Sequence, residues 1–393
     1  ACQLVFVNGR FSPKLSRVSK LPAGVEVDSL ARKLALNPSL LEPHLGRYLN
    51  IDRDSFCALN TAFAEDGAYV HVKRGVALES PIHLLFLSVD SGAPAVTHPR
   101  NLIVAEESSQ LAVVEDYVSL PQAPLRQTQK ELPGTTAGLA VTLSNSATEL
   151  LAGDNAVVAH YMLEREHERA FNVSTLRIEQ GRSANVASHS VLLGGSLVRN
   201  NVHPVLAGEG GECLINGLFA GGGTQHLDNY MLVEHASPHC GSRQFYNGIL
   251  DERAHGVFHG RIVVHRDAQK TDAKQTNRNL LLSDSAQIDT KPQLEIHADD
   301  VKCTHGATIG QIDEDALFYL RSRGIDQAAA RTLLLLAFAG ECVARMKEEP
   351  VRKHVERLMN RRLFQMAAPL PREQSASGQA LAGHRGRTLE EIA

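Results

Sequence analysis

The segment from Asn155 to Leu214, NAVVAHYMLEREHERAFNVSTLRIEQGRSANVASHSVLLGGSLVRNNVHPVLAGEGGECL, holds the pattern on which the fold turns. A polar or small residue leading into an apolar run occurs at Asn155-Ala156-Val157, again at Ser183-Ala184-Asn185-Val186 and again at Gly211-Glu212-Cys213-Leu214, each start 28 residues after the last. Self-similarity at a period of about 20–50 residues marks a repeat architecture, in which a unit buries its apolar face only by stacking on the next. A parallel β-helix needs short strands, tight polar corners and small residues where coils stack. Gly194-Gly195, Gly208, Gly210-Gly211 and Gly221-Gly222-Gly223 are corner candidates, because glycine reaches positive φ without a steric cost. A β-sandwich would put the same glycines in hairpins, so the pattern alone leaves solenoid and sandwich both open.

The β character extends to both sides. Between His98 and Ile312, short runs such as Asn101–Ala105, Gln110–Glu115, Ala156–Tyr161, Ser174–Ile178, Glu212–Phe219, Gly260–His265, Asn279–Leu282 and Gln293–Ile296 are cut by Gly, Asn, Asp and Ser, with no long amphipathic helical pattern. Residues 1–92 read as a small α/β segment: a strand at Leu4–Val7, the Asn8-Gly9 turn, then helical spacing at Leu30, Leu34, Leu40 and Leu41. The turn-rich run Asp90–Thr97 sets a boundary, giving a β core over 93–312. The pattern then becomes helical over 313–365. Asp313 is a candidate N-cap, Glu314 and Asp315 suit the positive end of the helix dipole, and Gly324 is a stop. Asp326 caps a second helix from Gln327 to Met346 whose Leu333–Ala339 stretch is apolar almost all round, and Pro350 opens a charged third helix to Phe364. Residues 366–393, with Pro369, Pro371, Ser375, Ser377 and Gly378, read as a flexible extension.

Composition narrows the class. The 393 residues are 43% apolar and 21% charged with a formal charge of -4, which gives no basic footprint for nucleic acid. No apolar run approaches the about 18 residues of a membrane span, and Ala1 to Arg10 has no signal-peptide layout. The first residue is not Met, so the N-terminal segment is expected to be truncated. Six cysteines without a CxxC pair argue against a zinc ribbon or a disulfide framework and fit a reducing, cytoplasmic setting.

The strongest chemical candidate is Cys303-Thr304-His305. Residues two apart on a strand face the same way, so thiol and imidazole would share one side, and both are ligands for iron or iron–sulfur centres. Two ligands are half of the usual set, so such a site must be completed from elsewhere. Without further support, a packed Cys303 and an exposed His305 are the plainer reading. A second grouping, His226, Glu234, His235, His239 and Cys240 with His255, His259 and His265 beyond, matches no standard metal spacing, and 18 His in the chain make such clusters common by chance. The glycine runs lack the Gly-Lys-Ser/Thr ending of a P-loop, so no nucleotide is expected on this chain. Adjacent acids at Glu106-Glu107, Glu115-Asp116 and Asp299-Asp300 raise the alternative of a carbohydrate-active β-helix enzyme, but neighbours on a strand point to opposite faces.

The string from Ala298 through Lys302-Cys303-Thr304-His305-Gly306-Ala307-Thr308-Ile309-Gly310 to Phe318-Tyr319-Leu320-Arg321-Ser322-Arg323-Gly324-Ile325 resembles the SufD type within the SufB/SufD family of SUF iron–sulfur cluster assembly scaffolds. Val5-Phe6-Val7-Asn8-Gly9-Arg10-Phe11 and Arg243-Gln244-Phe245-Tyr246-Asn247-Gly248-Ile249-Leu250 agree with it. The resemblance implies a mainly β fold, a right-handed parallel β-helix flanked by an N-terminal α/β segment and a C-terminal helical region. It implies a non-catalytic scaffold subunit that pairs with a SufB-like subunit through the C-terminal part of the β-helix and binds a SufC-like ATPase on its C-terminal helices; a homodimer of the isolated chain is left open. Cys303 and His305 then fall at the inter-subunit site where a transient cluster, or iron and sulfide, is assembled as cargo. Leu317, Tyr319, Arg321, Arg323, Leu334 and Phe338 are the expected ATPase-docking residues. Use of a reduced flavin by the complex is left open, and a purely structural adaptor is the remaining alternative.

Overall fold

The computed structural model describes residues 2–18, 21–90, 92–120 and 140–367. Its strands in chain order are β1 (Cys2–Val7), β2 (Arg10–Phe11), β3 (Val25–Ser29), β4 (Ala68–Val72), β5 (Ile82–Val89), β6 (Ala95–Thr97), β7 (Arg100–Ala105), β8 (Gln110–Leu120), β9 (Thr142–Ala152), β10 (Val157–Arg165), β11 (Ala170–Gln180), β12 (Asn185–Leu192), β13 (Leu197–Leu206), β14 (Glu212–Gly221), β15 (His226–His235), β16 (Gly241–Leu250), β17 (His255–Val264), β18 (Asp272–Leu281), β19 (Gln287–Ile296) and β20 (Lys302–Gly310). The helices are α1 (Leu30–Leu36), α2 (Ser55–Phe63), α3 (Glu314–Ser322), α4 (Gln327–Val343) and α5 (Glu349–Ala367).

From β7 onward the chain crosses at each long strand from one sheet to the other. The first sheet runs β2-β1-β5-β8-β10-β12-β14-β16-β18-β20, and the second runs β19-β17-β15-β13-β11-β9-β7-β4-β3. Pairing within the solenoid is parallel, and the solenoid makes about 8 turns. A sandwich built of hairpins is thereby excluded. The period is not constant: Val157 pairs with Asn185, 28 residues on, Asn185 with Glu212, 27 on, and His255 with Gln287, 32 on. The third repeat start is accordingly out of register by one, since Gly211 stacks on Ala184 rather than on Ser183.

One corner shows why the coils stack. Ser108, Asn155, Ser183, Gly210, His239 and Lys270 all have φ between 53° and 73°. The N–H of each donates to a carbonyl of the following coil, as in Asn155 to Arg182 (2.8 Å), Ser183 to Glu209 (2.8 Å) and His239 to Gln269 (2.9 Å). Each corner residue is followed by a small or compact buried one, Ser109, Ala156, Ala184, Gly211, Cys240 and Thr271, which fits inside the bend. Only one of the six is glycine. The ladder of inter-coil bonds therefore offsets the left-handed strain that side chains at the other five carry.

The interior between the sheets is apolar in rows, from Leu4 and Phe6 to Ala273. At one level it is polar. Glu115 is 3% exposed, accepts from Thr148 Oγ1 (2.7 Å) and Tyr117 Oη (2.8 Å), and pairs with His160 Nε2 (3.1 Å). Burial alone would raise its pKa, but His160 and the hydroxyls hold it below the usual carboxylate value.

The outer face of the first sheet is covered by α4 and α5, through Leu335, Phe338, Ala339, Cys342 and Val343 on one helix and Val355, Met359 and Leu363 on the other. Asp313 and Asp326 accept helix N–H bonds as caps, and Gly324 ends α3 with φ 86°. The expected third helix starts one residue earlier and ends three later, at Glu349 and Ala367. The expected extension therefore lies outside the described residues from 368 on.

Both sheets run on across the expected boundary near residue 92. β1 and β5 continue the first sheet, and β3 and β4 the second. The Asn8-Gly9 turn does join two antiparallel strands, with φ of 46° and 78°. Helix α2, which no periodicity announced, is tied to the second sheet by Asn60 Nδ2, which donates to the carbonyls of Pro99 (2.9 Å) and Asn145 (2.8 Å). The preceding loop is held by Glu149, which accepts the N–H groups of Gly46 and Tyr48 and pairs with the buried Arg100 at 2.5 Å.

At the corner after β10, Glu164 and Glu166 are both buried. Glu164 accepts the N–H groups of Glu166 and Gly194, yet burial and then the neighbouring Glu166 carboxylate lift its pKa to about 8. A carboxyl whose folded pKa lies above its unfolded value stabilises the fold fully below the unfolded value. That contribution is lost as pH rises through the folded pKa. Glu164→Gln, which cannot ionise but keeps only one of the two acceptor oxygens, is expected to flatten the fall of the melting temperature between pH 5 and about 8. Thermal unfolding followed across that range checks this, and an unchanged slope would contradict it.

Candidate functional site

Register places the two candidate ligands. In β20, Cys303 pairs with Ala273 of β18, which pairs with Ser242, then Cys213, Val186 and Val158 in successive coils. Every inner member of that column is buried, at 3% exposure or less. His305 ends the parallel column His160, Ser188, Ile215, Gln244 and Gln275, likewise buried up to the last coil. Cys303 and His305 thus occupy inward positions of the solenoid. They are left accessible because, among the described residues, no strand pairs with the far side of β20. Cys303 is half-buried against the interior cluster, and His305 is exposed. Thr304 between them belongs to the other face, as the period of two requires.

Burial raises the Cys303 thiol pKa, with a backbone hydrogen bond at Ala273 acting against it and the Asp272 carboxylate adding to it. The free side chain is therefore a thiol at neutral pH, and a metal would have to displace the proton to bind. Among the described residues no group of three or more His, Cys, Asp or Glu is placed to hold a metal ion. This edge offers two ligands.

The other histidine grouping is dispersed. His235 is buried and hydrogen-bonds Ser242 Oγ (2.8 Å), and Cys240 donates to the Gly208 carbonyl inside a corner whose backbone His239 forms. His226 and His255 meet edge to face, His259 meets Tyr230, and Glu234 lies between His203 (2.5 Å) and His265 (3.1 Å). The acids also separate. Glu106 pairs with His71 and Glu107 with Arg74, Glu115 faces inward while Asp116 pairs with Arg165 and His83, and Asp300 pairs with Lys270. No two of these adjacent carboxylates converge, which removes the observation that favoured a carbohydrate-active enzyme.

Of the residues expected to meet an ATPase, Tyr319, Arg321 and Arg323 are exposed and Leu334 is half-buried. Leu317 and Phe338 are not available. Leu317 is 4% exposed, and Phe338 packs in the cluster beneath α4 with the Arg278 guanidinium 5.4 Å from its ring centroid. Sequence reading passed over Phe318, which is 73% exposed, and Leu333 on α4. A helical projection anchored on buried Leu317 would have turned Phe318 outward. No helix among the described residues is long and apolar enough to cross a membrane.

Residues 86–338 match the family model of the SUF system FeS cluster assembly SufBD core domain, and residues 1–84 match that of the SufBD protein N-terminal region. The chain is 37% identical over 339 residues to an iron–sulfur cluster assembly SufBD family protein of Synechocystis, covering 86% of this chain and 73% of that protein. It is 33% identical over 363 residues to the iron–sulfur cluster assembly protein SufD of Escherichia coli, covering 92% and 79%. The SufD protein of Bacillus subtilis is 26% identical over 318 residues, covering 80% and 68%. With its parallel solenoid, its flanking helices and matches over nearly all of its described length, the chain belongs to the SufBD family of the SUF iron–sulfur cluster assembly system, as a SufD-like member.

Proposed function

We propose that this chain is a non-catalytic scaffold subunit that supplies Cys303 and His305 to a cluster-building site shared with a SufB-like subunit. The observation that carries the proposal is the interrupted column. Two metal-ligand side chains stand at inward positions of the last coil, where only a further strand would cover them. A SufB-like β-helix seated on that edge would supply the missing hydrogen-bond partners of β20 and the missing ligands together. The cluster is cargo in this reading, held between the two chains and passed on. A SufC-like ATPase would dock on the exposed side of α3 and α4, through Phe318, Tyr319, Leu333, Arg321 and Arg323, and its hydrolysis would drive the rearrangement that opens the shared edge. A reducing compartment suits a working thiol in a chain whose six cysteines are all free.

In a complex reconstituted with SufB-like and SufC-like partners, His305→Ala is expected to lower cluster yield by about tenfold or more while the complex elutes unchanged. Iron and acid-labile sulfide per complex are the readout. Full yield would remove the site assignment and leave a structural adaptor. Phe318→Glu is expected to weaken retention of the ATPase in a pull-down without changing the melting temperature, since the ring is 73% exposed; undiminished retention would move the docking surface elsewhere. In the isolated chain, alkylation of Cys303 by iodoacetamide should keep accelerating with pH beyond the ordinary thiol value of 9.0. A rate already level by about pH 8 would mean that the thiol is an activated one.

A further inference from the structure

A cleft of about 790 Å³ lies where α2 and the loop before it approach the outer face of the second sheet. It is lined by four arginines, Arg53 from the N-terminal segment and Arg177, Arg199 and Arg261 from β11, β13 and β17, together with His203 and Tyr230. None of these residues belongs to the Cys303 edge or to the C-terminal helices.

Two of the arginines are neutralised. Arg199 is paired with Asp228, and Arg261 grips Glu295 through one edge of its guanidinium, Nε to Oε1 at 2.8 Å and Nη2 to Oε2 at 2.5 Å. The acids that line the cleft are also committed. Asp54 caps α2 by accepting the N–H groups of Phe56 (2.9 Å) and Cys57 (3.1 Å), and both oxygens of Glu234 are taken by His203 and His265. This leaves Arg177 and Arg53 without a carboxylate in hydrogen-bond range. Arg177 is half-buried, its Nε has no hydrogen-bond partner, and its Nη1 rests on the His203 ring. Burial lowers the pKa of both side chains, so the wall pairs a guanidinium with an imidazole held toward its neutral form. A half-buried cation with one donor, Nε, left unpartnered is costly, and an incoming anion would relieve that cost.

We propose that this cleft binds a phosphate-bearing small molecule, with Arg177 and Arg53 as the groups that hold its phosphate. The guanidinium fork matches tetrahedral oxyanions through paired hydrogen bonds, and the volume is that of a small-molecule site rather than of a bare ion. Because β11 and the N-terminal segment supply one arginine each, the bound molecule would also fasten α2 to the solenoid.

The test is calorimetric titration of the full chain with pyrophosphate and, separately, with adenosine monophosphate. Saturable binding of at least one is expected, weakened about tenfold or more by Arg177→Gln and by Arg53→Gln, and unchanged by Lys274→Gln on the outer face of the first sheet. Arg53 is exposed and makes no side-chain contact that folding depends on, so its variant keeps the test valid should Arg177→Gln unfold. Failure of both probes to bind, or equal weakening by Lys274→Gln, overturns the proposal. The outcome is independent of cluster assembly, because binding is read on the isolated chain and assembly on the complex.

Discussion

Each coil of this protein completes its backbone hydrogen bonds on the coils before and after it, and most of the molecule follows from that. The positive-φ corners at Asn155, Ser183, Gly210 and His239 persist because the N–H of each has a carbonyl waiting one coil on. Side chains then fall into columns, and a column is buried wherever a coil lies on both sides. At β20 one side is missing among the described residues. The same side-chain direction that buries Val158 and His160 therefore leaves Cys303 half-covered and His305 open. Accessibility at this edge has a single geometric cause, the end of a stack.

Charge inside the fold acts as fastening. Arg100 and Glu149 are buried together, and Glu149 spends its remaining acceptor capacity on the backbone of Gly46 and Tyr48, so one ion pair fixes the N-terminal loop to the second sheet. Such a pair adds little net stability over apolar residues, but removing one partner strands the other, which makes the attachment specific. Glu115 with His160 does the same inside the solenoid. Glu164 is the exception, an acid whose surroundings favour the protonated form. The cleft at Arg177 is the converse case, a cation whose neighbouring acids are already bonded to other groups.

The two ends of the second sheet's outer face differ for this reason. Near β9 the N-terminal segment is bound tightly through Asn60 and Glu149. Toward β17 it lifts away, and the exposed ladder of His, Arg, Asp and Glu from β13 to β19 pairs mostly within itself. The first sheet's outer face is apolar instead, Tyr161, Leu163, Leu218 and Ile249, and is covered by α4 and α5. Polarity on the outer rows thus decides which sheet takes α4 and α5.

The sequence by itself determined much of this. Short strands with polar corners, the two capped helices at Asp313 and Asp326, the stop at Gly324 and the same-face placement of Cys303 and His305 were all legible, because each depends on residues within a few positions of one another. Glycine counting found the corner at Gly210 but not those at Ser108, His239 and Lys270, whose backbone is held by a bond to the next coil rather than by their own preference. That the sheets run on past residue 92 was not legible, because β4 and β5 take β7 and β8 of the solenoid as neighbours, and α2 was invisible because nine residues of weak periodicity are fixed by Asn60 reaching two distant carbonyls. Burial of Leu317 and Phe338, exposure of Phe318, and the placing of Arg53 and Arg177 along one cleft belong to the tertiary structure alone. They depend on which faces of distant elements come together, and no local pattern encodes that.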